Sequence, residues 1–175
     1  VLINALKRAK YLVQQGKQLF CPPALKYFLH NTIDRYWFQN HAEALTMYEQ
    51  LDDTDIWCTL KVWQNSEDKI LSLLAKDMIN RNVFKVEVRE KPVTEEEIYA
   101  LKDNIAKHFS ITFDDATYLM SVNTIQKDMY DINDDKIAIL YKDGTLKDIS
   151  EASEILNVEL LSKKISKYYL CYQRF

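Results

Sequence analysis

Between Asp52 and Lys85 the chain runs twice through the apolar period of an α-helix and then drops abruptly to period two. No other stretch constrains the fold as much. Ile56, Leu60 and Trp63 stand at i, i+4 and i+7, the spacing of one helix face, with Trp57 beside them. Asp52 or Asp53 is the expected N-cap, and the acids that follow suit the positive end of the helix dipole. Asn65 and Ser66 interrupt the pattern. Ser66 is expected to cap a second helix with Glu67 and Asp68 in its first turn and Ile70, Leu71, Leu74, Met78 and Ile79 on its buried face. The chain leaves through Arg81-Asn82-Val83-Phe84-Lys85. From Phe84 to Arg89 residues alternate as in a half-buried strand.

On either side of this stretch the two periods segregate. Upstream, Leu2 to Gln15 reads as a helix with Leu2, Ala5, Leu6, Ala9 and Leu12 on one face and Lys7, Arg8 and Lys10 mostly on the other; Gly16 ends it. Cys21-Pro22-Pro23 opens a short helix. The apolar run Ile33–Phe38 leads towards another helix, from Ala42 to Leu51. Downstream, Thr94-Glu95-Glu96-Glu97 is a capping box that opens a helix to about His108. Tyr118–Ile125 and Lys136–Tyr141 read as strands, Met129–Asp135 as a loop and Lys142–Thr145 as a tight turn. Ser150–Lys164 reads as one or two short helices, and Lys167–Gln173 as a last strand. The order after Phe84 is β-α-β-β-α-β, the ferredoxin-like order. The expectation is an α+β chain: a helical region over 1–82, and a small ferredoxin-like unit over 83–175.

Composition narrows the function classes. A chain of 175 residues, 47% hydrophobic and 28% charged, describes a globular protein with a core. Two glycines leave no glycine-rich phosphate loop, and a net charge of −3 argues against a general nucleic-acid binder, although a local basic pocket stays open. Cys21, Cys58 and Cys171 are odd in number and far apart. They fit core thiols in a reducing compartment, hence a cytoplasmic location, with no disulfide framework. No signal peptide or membrane-crossing run is visible, so no membrane partner is expected. The chain opens at Val1 inside a helical pattern, without Met, and is expected to be a fragment of a longer protein.

Catalytic constellations are missing from the pattern. His30 is followed by Asn31, His41 by Ala42 and His108 by Phe109, so there is no His-Asp doublet and no catalytic metal is expected. Asp52, Asp53 and Asp55 fit helix capping better than metal binding. Asp114-Asp115 and Asp134-Asp135 lack the glycine and spacing of a calcium loop. No nucleophile motif is present. Tyr36, Trp37, Phe38, Trp57 and Trp63 could form a nucleobase platform or partner surface, but core packing is expected. Lys163, Lys164 and Lys167 read as a solvated basic run. Arg81 and Lys85 differ from these, because a guanidinium fork and a mobile ammonium at a helix-to-strand junction suit phosphate oxygens. The competing reading pairs Arg81 with Asp77 and turns Lys85 to solvent.

The Leu51-Asp52-Asp53 start, the two helices with an acidic break and the Arg81-Asn82-x-Phe84-Lys85 exit resemble the C-terminal region of HD-domain deoxynucleoside triphosphate triphosphohydrolases. That group includes the animal sterile-alpha-motif-and-HD-domain enzyme and bacterial relatives. The Tyr168-Tyr169-Leu170-Cys171-Tyr172 ending is similar to that of the bacterial HD-domain phosphohydrolases. The resemblance implies a C-terminal, non-catalytic region of a metal-dependent phosphohydrolase. A divalent metal such as Mg or Mn would belong to the parent's HD half, with no cofactor in this fragment. It further implies homo-oligomer assembly, contact with the parent's own HD domain, and Arg81 and Lys85 holding the phosphates of an activating dNTP or GTP. Hydrolysis by the fragment alone is expected to be absent. The alternative is a structural or protein-interaction module with no ligand.

Overall fold

The computed structural model describes residues 1–127, 138–148 and 165–175. The expected loop Met129–Asp135, the helical stretch Ser150–Lys164 and the acids Asp134-Asp135 lie outside the described residues. The chain is mixed helix and sheet. Six helices occupy its first part: α1 (Leu2–Gln14), α2 (Pro23–His30), α3 (Arg35–Asn40), α4 (Ala42–Gln50), α5 (Asp53–Trp63) and α6 (Lys69–Asn80). Then come β1 (Lys85–Arg89), α7 (Glu95–Phe109), a 3-10 turn (Asp115–Leu119), β2 (Met120–Lys127), β3 (Ala138–Leu140), β4 (Leu146–Asp148) and β5 (Ile165–Tyr172).

By compactness the chain forms two units, each assembled from separate stretches. The first comprises residues 1–86, 94–121 and 171–175; the second comprises residues 87–93 and 122–170. Helix α6 is the centre of the first unit, packing against α1, α5 and the 3-10 turn. Ile70, Leu71, Leu74 and Ala75 supply its buried face. Ala5 and Ala9 on α1 are completely buried, and these small side chains one turn apart let two helix backbones approach closely. Each fully buried leucine contributes roughly 2 kcal/mol of apolar transfer energy, so Leu60, Leu71 and Leu74 anchor this layer.

The caps follow the local chemistry. Asp52 caps α5, its Oδ1 accepting from the Thr54 and Asp55 amides at 2.8 and 3.0 Å. Thr94 and Glu97 form the reciprocal capping box of α7. Gly16, at φ +80°, takes the left-handed position after α1, with the Lys17 amide bonded back to the Leu12 carbonyl. Ser66 does not cap α6. Asp68 takes that place, accepting from the Leu71 amide at 2.8 Å, while Ser66 Oγ accepts from the Asp68 amide. Residues Arg35–Asn40 form a helix of their own because Asp34 caps them through the Trp37 amide.

The sheet differs from the ferredoxin-like expectation. Strands are ordered β1-β5-β2, and β3 pairs with β4 in a separate antiparallel hairpin, with Ala138 opposite Asp148 and Leu140 opposite Leu146. The β1-α7-β2 unit is therefore split by the last strand. The third strand, which the β-α-β-β-α-β order expects in the same sheet, turns back at Lys142–Gly144 instead. Gly144, at φ +84°, permits that turn, and Leu146–Asp148 supplies the partner strand.

In the second unit, Arg89 bonds Glu87 at 2.8 Å and Lys167 reaches Glu90 at 3.3 Å, both near solvent and of small energetic weight.

Candidate functional site

Helix α6 ends at Asn80, and the chain reverses through Arg81 in the left-handed conformation, φ 60° and ψ 29°. The Asn82 amide donates to the Asp77 carbonyl at 2.8 Å and the Arg81 amide to the Met78 carbonyl at 3.4 Å, the backbone pattern of a Schellman cap. Glycine is the usual residue here, because a Cβ in this conformation costs about 1 kcal/mol. An arginine at this position is an unusual choice. It holds the guanidinium at the negative end of the helix dipole, on the surface.

Arg81, Asn82 and Val83 line one side of a cavity of about 280 Å³, and Gln173 and Arg174 line the other. The far wall is held in place by the Gln173 amide, which donates to the Leu119 carbonyl at 2.8 Å. Two guanidinium-bearing residues thus face one cavity from distant parts of the sequence. Neither Arg81 nor Arg174 forms a salt bridge among the described residues.

Asp77 does not pair with Arg81. Its side chain turns inward, only 4% exposed, and Oδ2 has no hydrogen-bond partner; the same holds for Oε1 of Gln173. Burial raises the Asp77 carboxyl above its ordinary value, and the side-chain amides of Gln173 and Asn82 pull it partly back.

The structure separates the two residues that the sequence suggests for phosphate binding. Arg81 lines the cavity. Lys85 is not among the residues lining it; its Nζ lies 5.2 Å from the centre of the Tyr172 ring, a cation–π contact. Arg174 had no signal in the sequence beyond its charge. Its approach to Arg81 depends on where the last strand ends, which no local pattern encodes.

A second polar cluster lies at the opposite end of α6. Arg8, which the helical pattern assigns to the outer face of α1, is buried. Its Nε and Nη2 grip Asp68 at 3.1 and 2.6 Å, and its Nη1 meets Asp115 at 2.6 Å. The guanidinium carbon also lies 5.0 Å from the Tyr118 ring and 5.3 Å from the Tyr11 ring. Burial opposes the Arg8 charge, yet the two carboxylates outweigh it and hold its pKa above the ordinary value. Asp68 is correspondingly held low, since burial, which would raise it, is outweighed by Arg8 and the Leu71 amide. This cluster is a structural clamp in which one arginine holds two carboxylates.

Other features offer less. A cavity of about 560 Å³ lies between the α1–α2 loop and the α5–α6 turn, but Glu67 and Asp68 face it with only Lys17 as a cation. Trp63 there is committed, donating to the Phe20 carbonyl at 2.9 Å. All three histidines are exposed; His41 stacks on Trp37, and His108 lies against Phe109 and Phe175. Among the described residues no group of three or more His, Cys, Asp or Glu side chains could hold a metal ion. These residues do not fit a catalytic metal, and no metal-dependent step is assigned to them. No helix among the described residues is long and apolar enough to cross a membrane. Trp63 is buried, but Tyr36 and Trp57 are exposed rather than core, and Cys58 is exposed rather than a core thiol.

Over nearly its whole length the chain is similar to a protein that carries a named activity. It is 53% identical to a phosphohydrolase from Bacteroides thetaiotaomicron whose crystal structure is known, with a TM-score of 0.87, covering 99% of this chain and 43% of that one. It is also 29% identical over 170 residues to the uncharacterized protein YwfO of Bacillus subtilis, covering 94% of this chain and 36% of that protein. No protein-family model matches. The chain spans less than half the length of either relative.

Proposed function

We propose that this chain is the non-catalytic C-terminal region of a cytoplasmic, metal-dependent HD-domain phosphohydrolase, whose parent releases triphosphate from dNTPs. The observation that carries this reading is the 53% identity, across 99% of the chain, to a phosphohydrolase more than twice as long. Described residues without a donor set for a metal fit a division of labour in which the rest of the parent hydrolyses and this part assembles the oligomer and senses nucleotide. Arg81 is the centre of the sensing role, since it lines a cavity and forms no ion pair among the described residues. Lys85 joins it as a second phosphate contact in this reading, a role that requires it to leave the Tyr172 ring.

The test is dNTP hydrolysis by the intact parent with Mg²⁺ or Mn²⁺, titrated with a second nucleotide as activator, beside the Arg81→Ala/Lys85→Ala variant. Activation in the wild type that disappears in the variant, with its fold intact, is the expected result. Absence of any dNTP turnover by the parent would overturn the reading. Turnover by the 175-residue chain alone would overturn its non-catalytic part.

One observation favours a purely structural role as a second reading. Helix α3 buries no side chain, and Tyr36, Leu45 and Tyr48 are each more than half exposed on α3 and α4, an apolar display suited to a protein partner. Thermal melts with and without nucleotide separate the two, because a ligand that binds only the folded state raises Tm and a scaffold shows no shift.

A further inference from the structure

We propose that Arg174 and Arg81 form a two-arginine cradle for the phosphate end of a small polyphosphate ligand, an inference that extends the nucleotide reading of Arg81 and rests on it. Nothing in the Arg81-x-x-x-Lys85 pattern calls for Arg174. It is the position of Gln173-Arg174, just past β5, that brings a second guanidinium to the cavity. Each guanidinium offers a planar fork of donors that can take two oxygens of one phosphate. Two forks around one cavity can therefore take the oxygens of linked phosphates.

Size and charge support the same ligand. At about 280 Å³ the cavity is near the lower bound of ligand pockets, roughly 300 Å³, which suits linked phosphates and leaves a nucleoside outside or at the rim. A net charge of −3 over 175 residues argues against a nucleic-acid backbone as the ligand. Gln173 also lines the cavity, but the residue is buried and its side-chain amide is turned to Asp77, which leaves the two arginines as the charged groups of the lining.

Isothermal titration of the full-length protein with inorganic tripolyphosphate and with GTP tests this, in the absence of divalent metal so that nothing turns over. Both are expected to bind. Arg174→Ala is expected to weaken both by roughly 10- to 100-fold, the loss of charge-assisted hydrogen bonds to one phosphate. Arg174 is exposed, so the variant should fold, and circular dichroism checks that. Arg174→Gln, which keeps the length but not the fork, is the second variant and should be similarly weak. No binding by the wild type, or undiminished binding by both Arg174 variants, would overturn the cradle. Binding lost in Arg81→Ala but kept in the Arg174 variants also overturns it, while leaving Arg81 as the sensor. Binding lost in both, beside hydrolysis indifferent to activator, keeps the cradle and removes the sensing role instead.

Discussion

The two ends of helix α6 treat buried charge in opposite ways. At the N-terminal end Asp68 is partly buried, but it caps the helix, accepts two hydrogen bonds from Arg8 and shares that arginine with Asp115. At the C-terminal end Asp77 is more deeply buried and has two amides beside it but no guanidinium or ammonium side chain bonded to it. Its Oδ2 and the neighbouring Gln173 Oε1 stay without partners. The contrast teaches where the fold has been optimised for its own stability. A buried acid bridged to a bidentate arginine completes a clamp. A buried acid with an orphan oxygen, next to an arginine in a glycine conformation, is a stability cost of the kind that concentrates at functional sites.

The largest effect should come from removing the arginine at the satisfied end. Arg8→Met keeps the volume of the side chain but leaves Asp68 and Asp115 facing each other, and is expected to cost about 3 kcal/mol at neutral pH. For a chain of this size that lowers Tm by roughly 6–12 °C. Urea denaturation measures it, and a loss under about 1 kcal/mol would show that water replaces the arginine freely. The pH dependence has a definite sign. Asp68 is held below its ordinary value, so its contribution is present above roughly pH 4 and is lost as pH falls through its folded value. The deficit of Arg8→Met should shrink in that acidic window.

At the other end the sign reverses. Asp77 is raised by burial, so the folded state prefers it protonated; the handicap is present above its folded pKa and disappears as pH falls through that value. Asp77→Asn removes the charge and is expected to gain about 1 kcal/mol at pH 7, with the gap to wild type closing on acidification. Destabilisation at neutral pH would sink the idea that this carboxylate lacks adequate donors. The two variants thus move in opposite directions at pH 7, and both differences narrow as pH falls.

Legibility followed the range of the interactions. Asp52, the Thr94–Glu97 box and Gly16 were readable because a cap is settled within a few residues. The Ser66 assignment failed because Arg8, sixty residues away in sequence, stabilises Asp68 where it caps α6. Arg8 itself was misplaced for the same reason, since amphipathic periodicity assigns a charge to solvent and knows nothing of two acids waiting inside. The ferredoxin-like order misjudged the sheet because strand order alone does not say which gap the last strand fills. Arg81 was legible as a basic residue at a helix-to-strand junction. Arg174, which lines the same cavity, was not, because only the fold brings the end of the chain there.

The smallest predicted effect isolates the left-handed position itself. Arg81 after α6 and Ser110 after α7 both adopt positive φ, 60° and 51°, and both are followed by an amide that reaches back into the helix, Asn82 to Asp77 and Ile111 to Ala106. Glycine suits this conformation better than either, by roughly 0.5–1 kcal/mol. Arg81→Gly and Ser110→Gly should therefore raise Tm by similar amounts, about 1–4 °C. Only Arg81→Gly should also lose polyphosphate binding. If instead Arg81→Gly melts lower than wild type while Ser110→Gly melts higher, the Arg81 guanidinium supports the fold. The C-terminal end of α6 would then be as much a structural clamp as the N-terminal end. If both rise and only one loses the ligand, arginine stands where glycine would be more stable because of what its guanidinium binds.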